Sequence, residues 1–224
     1  MNARIVSQLL RAPEQVAREC VEERRLPQLA LVSISAIALG GALFGATVGG
    51  YRGGLQVLYS AIKVPAACLW TLALCVPAYY AFTNIFGRAL PVRVVAALTL
   101  ASIARASLVL LAAVPVIWLM VDMGASYHAT ALWASVAYGL AGLSALGVML
   151  RALGDRSKRF VVAGLMVSLF CIVGGQSAWM MRPYLGRPSQ AEVPFLRAPD
   201  GVFAERVWKS GRSSMGWFDE EHSR

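Results

Sequence analysis

The apolar residues of this 224-residue chain are gathered into five long runs separated by short polar segments. A run of about 20 apolar residues matches the hydrocarbon thickness of a bilayer, so each run predicts a transmembrane helix. The predicted spans are residues 28–50, 62–83, 91–121, 129–150 and 160–181. The pattern therefore predicts an all-α fold: a polytopic helical membrane bundle of about five spans over residues 28–181, preceded by a short amphipathic helix.

The third run, residues 91–121, is too long for one upright crossing and carries Arg105 near its middle. We interpret it as one continuous or bent helix in which residues 91–104 lie shallow and about 105–122 cross. In a span centred near Arg105, the cation would mark a functional site inside the membrane. If the crossing begins at Arg105, its guanidinium only reaches back to the membrane surface.

The segments on either side of the five runs have different compositions. Residues 1–27 combine mixed charge with a weak apolar side that includes Val16, Ala17 and Cys20. We expect a cytosolic segment with a short helix that either lies along the membrane surface or is solvated. Residues 182–224 are rich in proline, glycine, serine and charge, which predicts an extramembrane and largely disordered tail.

Charge is scarce and unevenly placed: 15% of the residues are charged and 58% are hydrophobic. The net charge of +9 does not indicate nucleic acid, because the basic residues flank the apolar runs and form no single face. We expect membrane lipid and other membrane proteins or a second copy as partners. Four basic residues crowd into 151–159 and none lies in 122–128, which predicts a cytosolic N-terminus and an outward tail. The 18 arginines against 3 lysines favour a bacterial source, and hence the bacterial inner membrane.

Small residues recur along three of the predicted spans. Glycines four residues apart line one face of a helix and form a groove that a neighbouring helix can approach closely. The candidate packing surface consists of Gly41, Gly45 and Gly49 in span one, with Ala137, Ala141 and Ala145 in span four and Gly164 and Ser168 in span five as possible partners. This surface serves either the packing of one bundle or an interface with another chain.

The chain contains no pattern typical of a catalytic or metal site. Its four cysteines form no CxxC or Cys/His arrangement, and Asp122, at the edge of a span, is the one carboxylate in the predicted spans. We therefore predict a non-enzymatic protein with no catalytic residue, metal or cofactor. Arg105 and Gln176 form a possible intramembrane polar site, although hydrogen bonding between helices also explains Gln176.

The layout resembles the Yip1 family of small five-span membrane proteins. The resemblance rests on a polar N-terminal helix "APEQVARECVEERR", five closely spaced spans, and the stretch "IFGRALPVRVVAALTLASIARASLVLLAAVPV" after the second span. It covers about residues 10–180 and implies a scaffold or trafficking-type role. No functional residue of that family is matched to a position in this chain.

These observations favour a scaffold, assembly or trafficking-type partner of other membrane proteins. The alternative is a small-solute channel or transporter in which Pro77, Arg105 and Gln176 line a pathway. The near absence of carboxylates from the spans disfavours proton-coupled transport. The topology predicts that Cys20 is cytosolic and that residue 213 lies on the opposite side of the membrane.

Overall fold

The structure, a computed structural model, describes residues 3–86, 89–153 and 159–181, together with Tyr184, Phe195 and Leu196. The predicted disordered tail therefore lies almost entirely outside the described residues. The described part of the chain forms helices and no strand. In chain order the helices are α1 (Ala3–Arg11), α2 (Pro13–Val21), α3 (Leu26–Gly50), α4 (Leu55–Phe86), α5 (Val92–Asp122), α6 (Tyr127–Leu153) and α7 (Arg159–Met180).

Five of these helices, α3 to α7, are long and apolar enough to cross a membrane. The predicted all-α, multi-pass bundle is thus confirmed, and the composition indicates an integral membrane protein. The clearest difference in boundaries is at α4, which begins at Leu55, whereas the apolar pattern predicts a span from residue 62. Gln56, Ser60 and Lys63 interrupt the apolar pattern there, yet all three side chains are buried in the folded chain.

Helix α5 forms the centre of the bundle. It is one continuous helix of 31 residues, and 67% of its most apolar window is buried, against 22% for α7. This agrees with the predicted single helix over residues 91–122. Residues 92–104 continue the axis of α5, and Val94, Leu98 and Ala101 are buried in the main core.

The first two helices pack against this core. Leu9 of α1 and Cys20 of α2 are both fully buried, and they share a cluster with Leu29 of α3 and Leu98 of α5. The sequence interpretation placed this segment on the membrane surface or in solvent. Neither describes its apolar side, which is covered by the bundle because α1 and α2 fold back as a hairpin onto α5 and α6.

The ends of the helices show where the chain enters and leaves the bundle. The α1–α2 hairpin forms ion pairs with the start of α5, Glu23 to Arg93 at 2.7 Å, and with the end of α6, Glu14 to Arg151 at 3.3 Å. After α7, the carbonyl of Tyr184 accepts hydrogen bonds at the start of α4. The chain therefore leaves the bundle at the end opposite to the hairpin.

Candidate functional site

The three glycines of the candidate packing surface in α3, Gly41, Gly45 and Gly49, face α4. A Cβ atom built on Gly41 would lie 3.2 Å from Pro65, and one built on Gly49 would lie 2.5 Å from the carbonyl oxygen of Gln56. A Cβ atom on Gly45 would overlap the carbonyl oxygen of Ser60. At Gly45 and Gly49 the two backbones approach so closely that a Cβ atom would collide with α4, and the groove is filled from within the same chain.

The prediction of which helix packs against Gly41, Gly45 and Gly49 was wrong. The sequence interpretation paired these glycines with the alanines of span four or with Gly164 and Ser168 of span five, whereas α4 packs against them. Ala137 and Ala141 are buried in one cluster with Phe44 and Val48 of α3 and with Leu110 and Ile117 of α5, away from the three glycines. Ala145 is half-buried and lines the cavity described below.

One face of α7 carries small residues that are left uncovered by the helices of the described part of the chain. A Cβ atom built on Gly164 would meet no atom within 4 Å, and Ser168 and Cys171 are exposed. Spacings of four and three residues place these three on one side of the helix. We call Gly164, Ser168 and Cys171 the α7 stripe. Large exposed side chains flank the stripe on α7 itself, at Val161, Leu165 and Ile172. The outward faces of α3 and α4 also carry large side chains, among them Leu39 and Trp70.

A cavity of about 390 Å³ lies between four helices. This volume is within the range of ordinary ligand pockets. Its walls are mostly apolar. They come from Cys68 and Tyr79 of α4; Thr99, Ser102, Ile103, Ala106, Ser107 and Leu110 of α5; Tyr138, Gly139, Ala141, Gly142, Leu143, Ala145, Leu146 and Met149 of α6; and Met166, Val167, Phe170 and Cys171 of α7.

Most polar groups in the cavity wall are already hydrogen-bonded to the protein. The Tyr79 hydroxyl donates to the carbonyl of Met166 at 2.9 Å, which ties α4 to α7. Thr99 and Ser102 donate to carbonyls one turn back in α5. The buried hydroxyl of Ser107 has no hydrogen-bond partner among the described residues. The wall therefore offers few polar groups to a ligand.

The cavity opens sideways between α6 and α7. Along this side Leu143 is 69% exposed and Val167 is 39% exposed, and no atom lies within 4 Å of a Cβ built on Gly142. Nearer the hairpin end, Met149 of α6 and Met166 of α7 are buried in the same core cluster. The two helices thus touch near the hairpin end and separate beyond it.

Arg105 and Gln176 do not meet in this cavity. Arg105 is half-buried and is not among the cavity-lining residues, because it lies about 200° around α5 from Ile103, two residues away. Its Nε and Nη1 atoms are buried without a hydrogen-bond partner among the described residues. Gln176 is half-buried near the end of α7. Neither residue of the predicted polar site lines the cavity.

A polar cluster that the sequence interpretation missed lies at the start of α4. The Tyr184 carbonyl accepts hydrogen bonds from Gln56 Nε2 at 2.8 Å and from Ser60 Oγ at 2.7 Å. The ammonium group of Lys63 lies 4.8 Å from the ring centroid of Phe195, a favourable cation–π contact. These contacts join residues more than 120 positions apart, so no local pattern signals them.

The described residues contain no group of three or more His, Cys, Asp or Glu side chains arranged to hold a metal ion. Comparison with known proteins gives no match among family models, curated proteins or solved structures. The Yip1 resemblance therefore stays a prediction.

Proposed function

We propose that this protein is a non-enzymatic integral membrane protein that holds a transmembrane helix of another membrane protein against α7. The observation that carries the proposal is the α7 stripe, a row of small residues that the described helices leave uncovered. Such a scaffold or assembly role requires only a packing surface, and no catalytic group.

The α3–α4 contact supports a helix as the occupant. In α3, glycines spaced by four residues let α4 approach until backbone touches backbone. The outer faces of α3 and α4 instead carry leucine and tryptophan, side chains suited to lipid. Small residues at a surface favour close helix packing, because van der Waals contact drives helix association inside a membrane. The α7 stripe consists of small residues, like the glycine face of α3 that binds α4.

The proposed location is the bacterial inner membrane with the α1–α2 hairpin in the cytosol. Basic residues near the hairpin end of the bundle, among them Arg93 and Arg151, support this orientation. The proposed partner helix then packs against α7 within the bilayer. A channel or transporter gains no comparable support, because the cavity is mostly apolar and excludes Arg105.

Site-specific photocrosslinking in native membranes tests the proposal. A photoreactive amino acid replaces Ser168 in one variant and Leu39, which is 55% exposed on α3, in another. We expect the probe at 168 to capture a defined membrane protein, identified by mass spectrometry, and the probe at 39 to capture lipid alone. Adding Gly164→Leu should abolish the protein adduct at 168, because the added side chain keeps the partner helix at a distance.

Two outcomes contradict the proposal. One is an adduct at 168 that Gly164→Leu leaves unchanged, or that is no different from the adduct at 39. The other is capture of a second copy, detected with two differently tagged copies in one cell. That result would make the α7 stripe a self-association surface and not a partner-binding one.

A further inference from the structure

We propose that the cavity between α4, α5, α6 and α7 is a binding site for one acyl chain of a membrane phospholipid, which enters between α6 and α7. The inference goes beyond the proposed scaffold function, since it needs no partner protein. It rests on the depth of the opening, the chemistry of the wall and the enclosure by four helices.

The opening lies at the depth of the hydrocarbon core. At 1.5 Å per residue, Gly142 and Leu143 are each more than about 12 Å from both ends of α6. Val167 lies about 12 Å from the start of α7 and further from its end, by the same rise. A molecule that enters here comes from the hydrocarbon region, where acyl chains are the solvent.

Water is a poor occupant of this cavity. A bound water usually needs two to four hydrogen-bond partners. Tyr79, Thr99 and Ser102 have donated their hydroxyl protons to backbone carbonyls, so each can only accept from a water molecule. Ser107 supplies the one buried hydroxyl in the described wall without a partner. The same scarcity of polar groups disfavours a lipid headgroup in the cavity. The acyl chain of the lipid is the part that fits.

An empty chamber is also unfavourable. The side chains around a void of about 390 Å³ lose their dispersion contacts on one side. An acyl chain restores these contacts and loses none of its own, because it leaves an equally apolar surrounding. Four helices surround the bound acyl chain, whereas a lipid at the outer surface of the bundle contacts only one or two helices. The enclosed chain should therefore exchange more slowly than ordinary boundary lipid.

Lipid retention by the purified full-length protein tests the site. The protein is extracted from native membranes in a mild detergent, exchanged exhaustively into fresh detergent, and its phospholipid content is measured by phosphorus assay and mass spectrometry. We expect phospholipid in about a one-to-one ratio with the chain. Gly142→Phe and Val167→Phe, which place a ring in the opening, should each reduce retention several-fold.

Ile172→Phe is the matched control. Ile172 is 69% exposed on α7 and does not line the cavity, so its variant should retain the wild-type amount of phospholipid. Helical circular dichroism and the melting temperature identify any variant that has not folded. A wild-type protein that retains no phospholipid overturns the inference. So does equal retention by folded Gly142→Phe, Val167→Phe and Ile172→Phe. Neither result bears on the crosslink at Ser168, so the two proposals fail independently.

Discussion

Gly45→Ala should lower the melting temperature of the purified protein, and Gly45→Leu should prevent the folded bundle from forming. A Cβ atom at residue 45 overlaps the Ser60 carbonyl, which belongs to the backbone of α4 and cannot turn aside as a side chain can. Overpacking of a close contact costs about 1–3 kcal/mol. For a chain of this size that corresponds to a fall in melting temperature of roughly 2–12 °C for Gly45→Ala. We expect a value in the upper part of this range.

Gly50 provides the matched control for this experiment. It lies five residues further along in the same helix, and a Cβ built there meets no atom within 4 Å. Gly50→Ala and Gly50→Leu should therefore leave the melting temperature close to that of the wild type. Thermal unfolding in mild detergent, followed by circular dichroism, measures all four variants. Equal stability of the residue 45 and residue 50 variants would show that α3 and α4 are not in close contact.

The second large effect is expected at Leu9, which is fully buried in the core that joins α1 to α5. Leu9→Asp removes an apolar side chain and buries a carboxylate without a partner, a change that costs several kcal/mol. The hairpin should then detach from the bundle. Leu10 is the neighbouring control, because it is 41% exposed and Leu10→Asp places its carboxylate in solvent.

Cys20 reports detachment of the hairpin. Burial, with a smaller contribution from the adjacent Glu19, raises the pKa of the Cys20 thiol from 9.0 to about 12. Only the thiolate reacts with an alkylating reagent, so wild-type Cys20 should resist alkylation at pH 8. With the other three cysteines replaced, Leu9→Asp should restore an ordinary pKa and about a thousandfold more thiolate, since one pKa unit is a factor of ten. Labelling of Leu9→Asp and Leu10→Asp at the same rate would show that Leu9 does not hold the hairpin.

Most of the fold could be predicted from the sequence, because apolar length is a local property. The five spans were each placed within about seven residues of the helix ends, and the largest error, at the start of α4, has a physical cause. Gln56 and Ser60 have the polarity of loop residues, but they are buried because they donate to the Tyr184 carbonyl. That partner lies after α7, where no periodicity connects it to α4.

The sites were predicted less completely, because each depends on which helices become neighbours. A row of glycines indicates a groove, but the rows of small residues in α6 and α7 pointed to the wrong occupant, which is α4. The cavity depends on the angle at which α6 and α7 separate, and no residue in either helix signals that angle. Arg105 was placed correctly within its helix, but the direction in which it points became clear only from the packing of α5.

The central claim is a five-span bundle whose two ends lie on opposite sides of the membrane. A membrane-impermeant maleimide on intact cells tests it most directly. Buried Cys20 cannot serve as the reporter of the N-terminal side. Exposed Ser7 replaces it, and Ser7→Cys and Ser213→Cys are introduced separately into a chain without other cysteines. The account predicts labelling at residue 213 in intact cells, and labelling at residue 7 only after the cells are permeabilised. Protection of both residues in intact cells, or labelling of both, would contradict it.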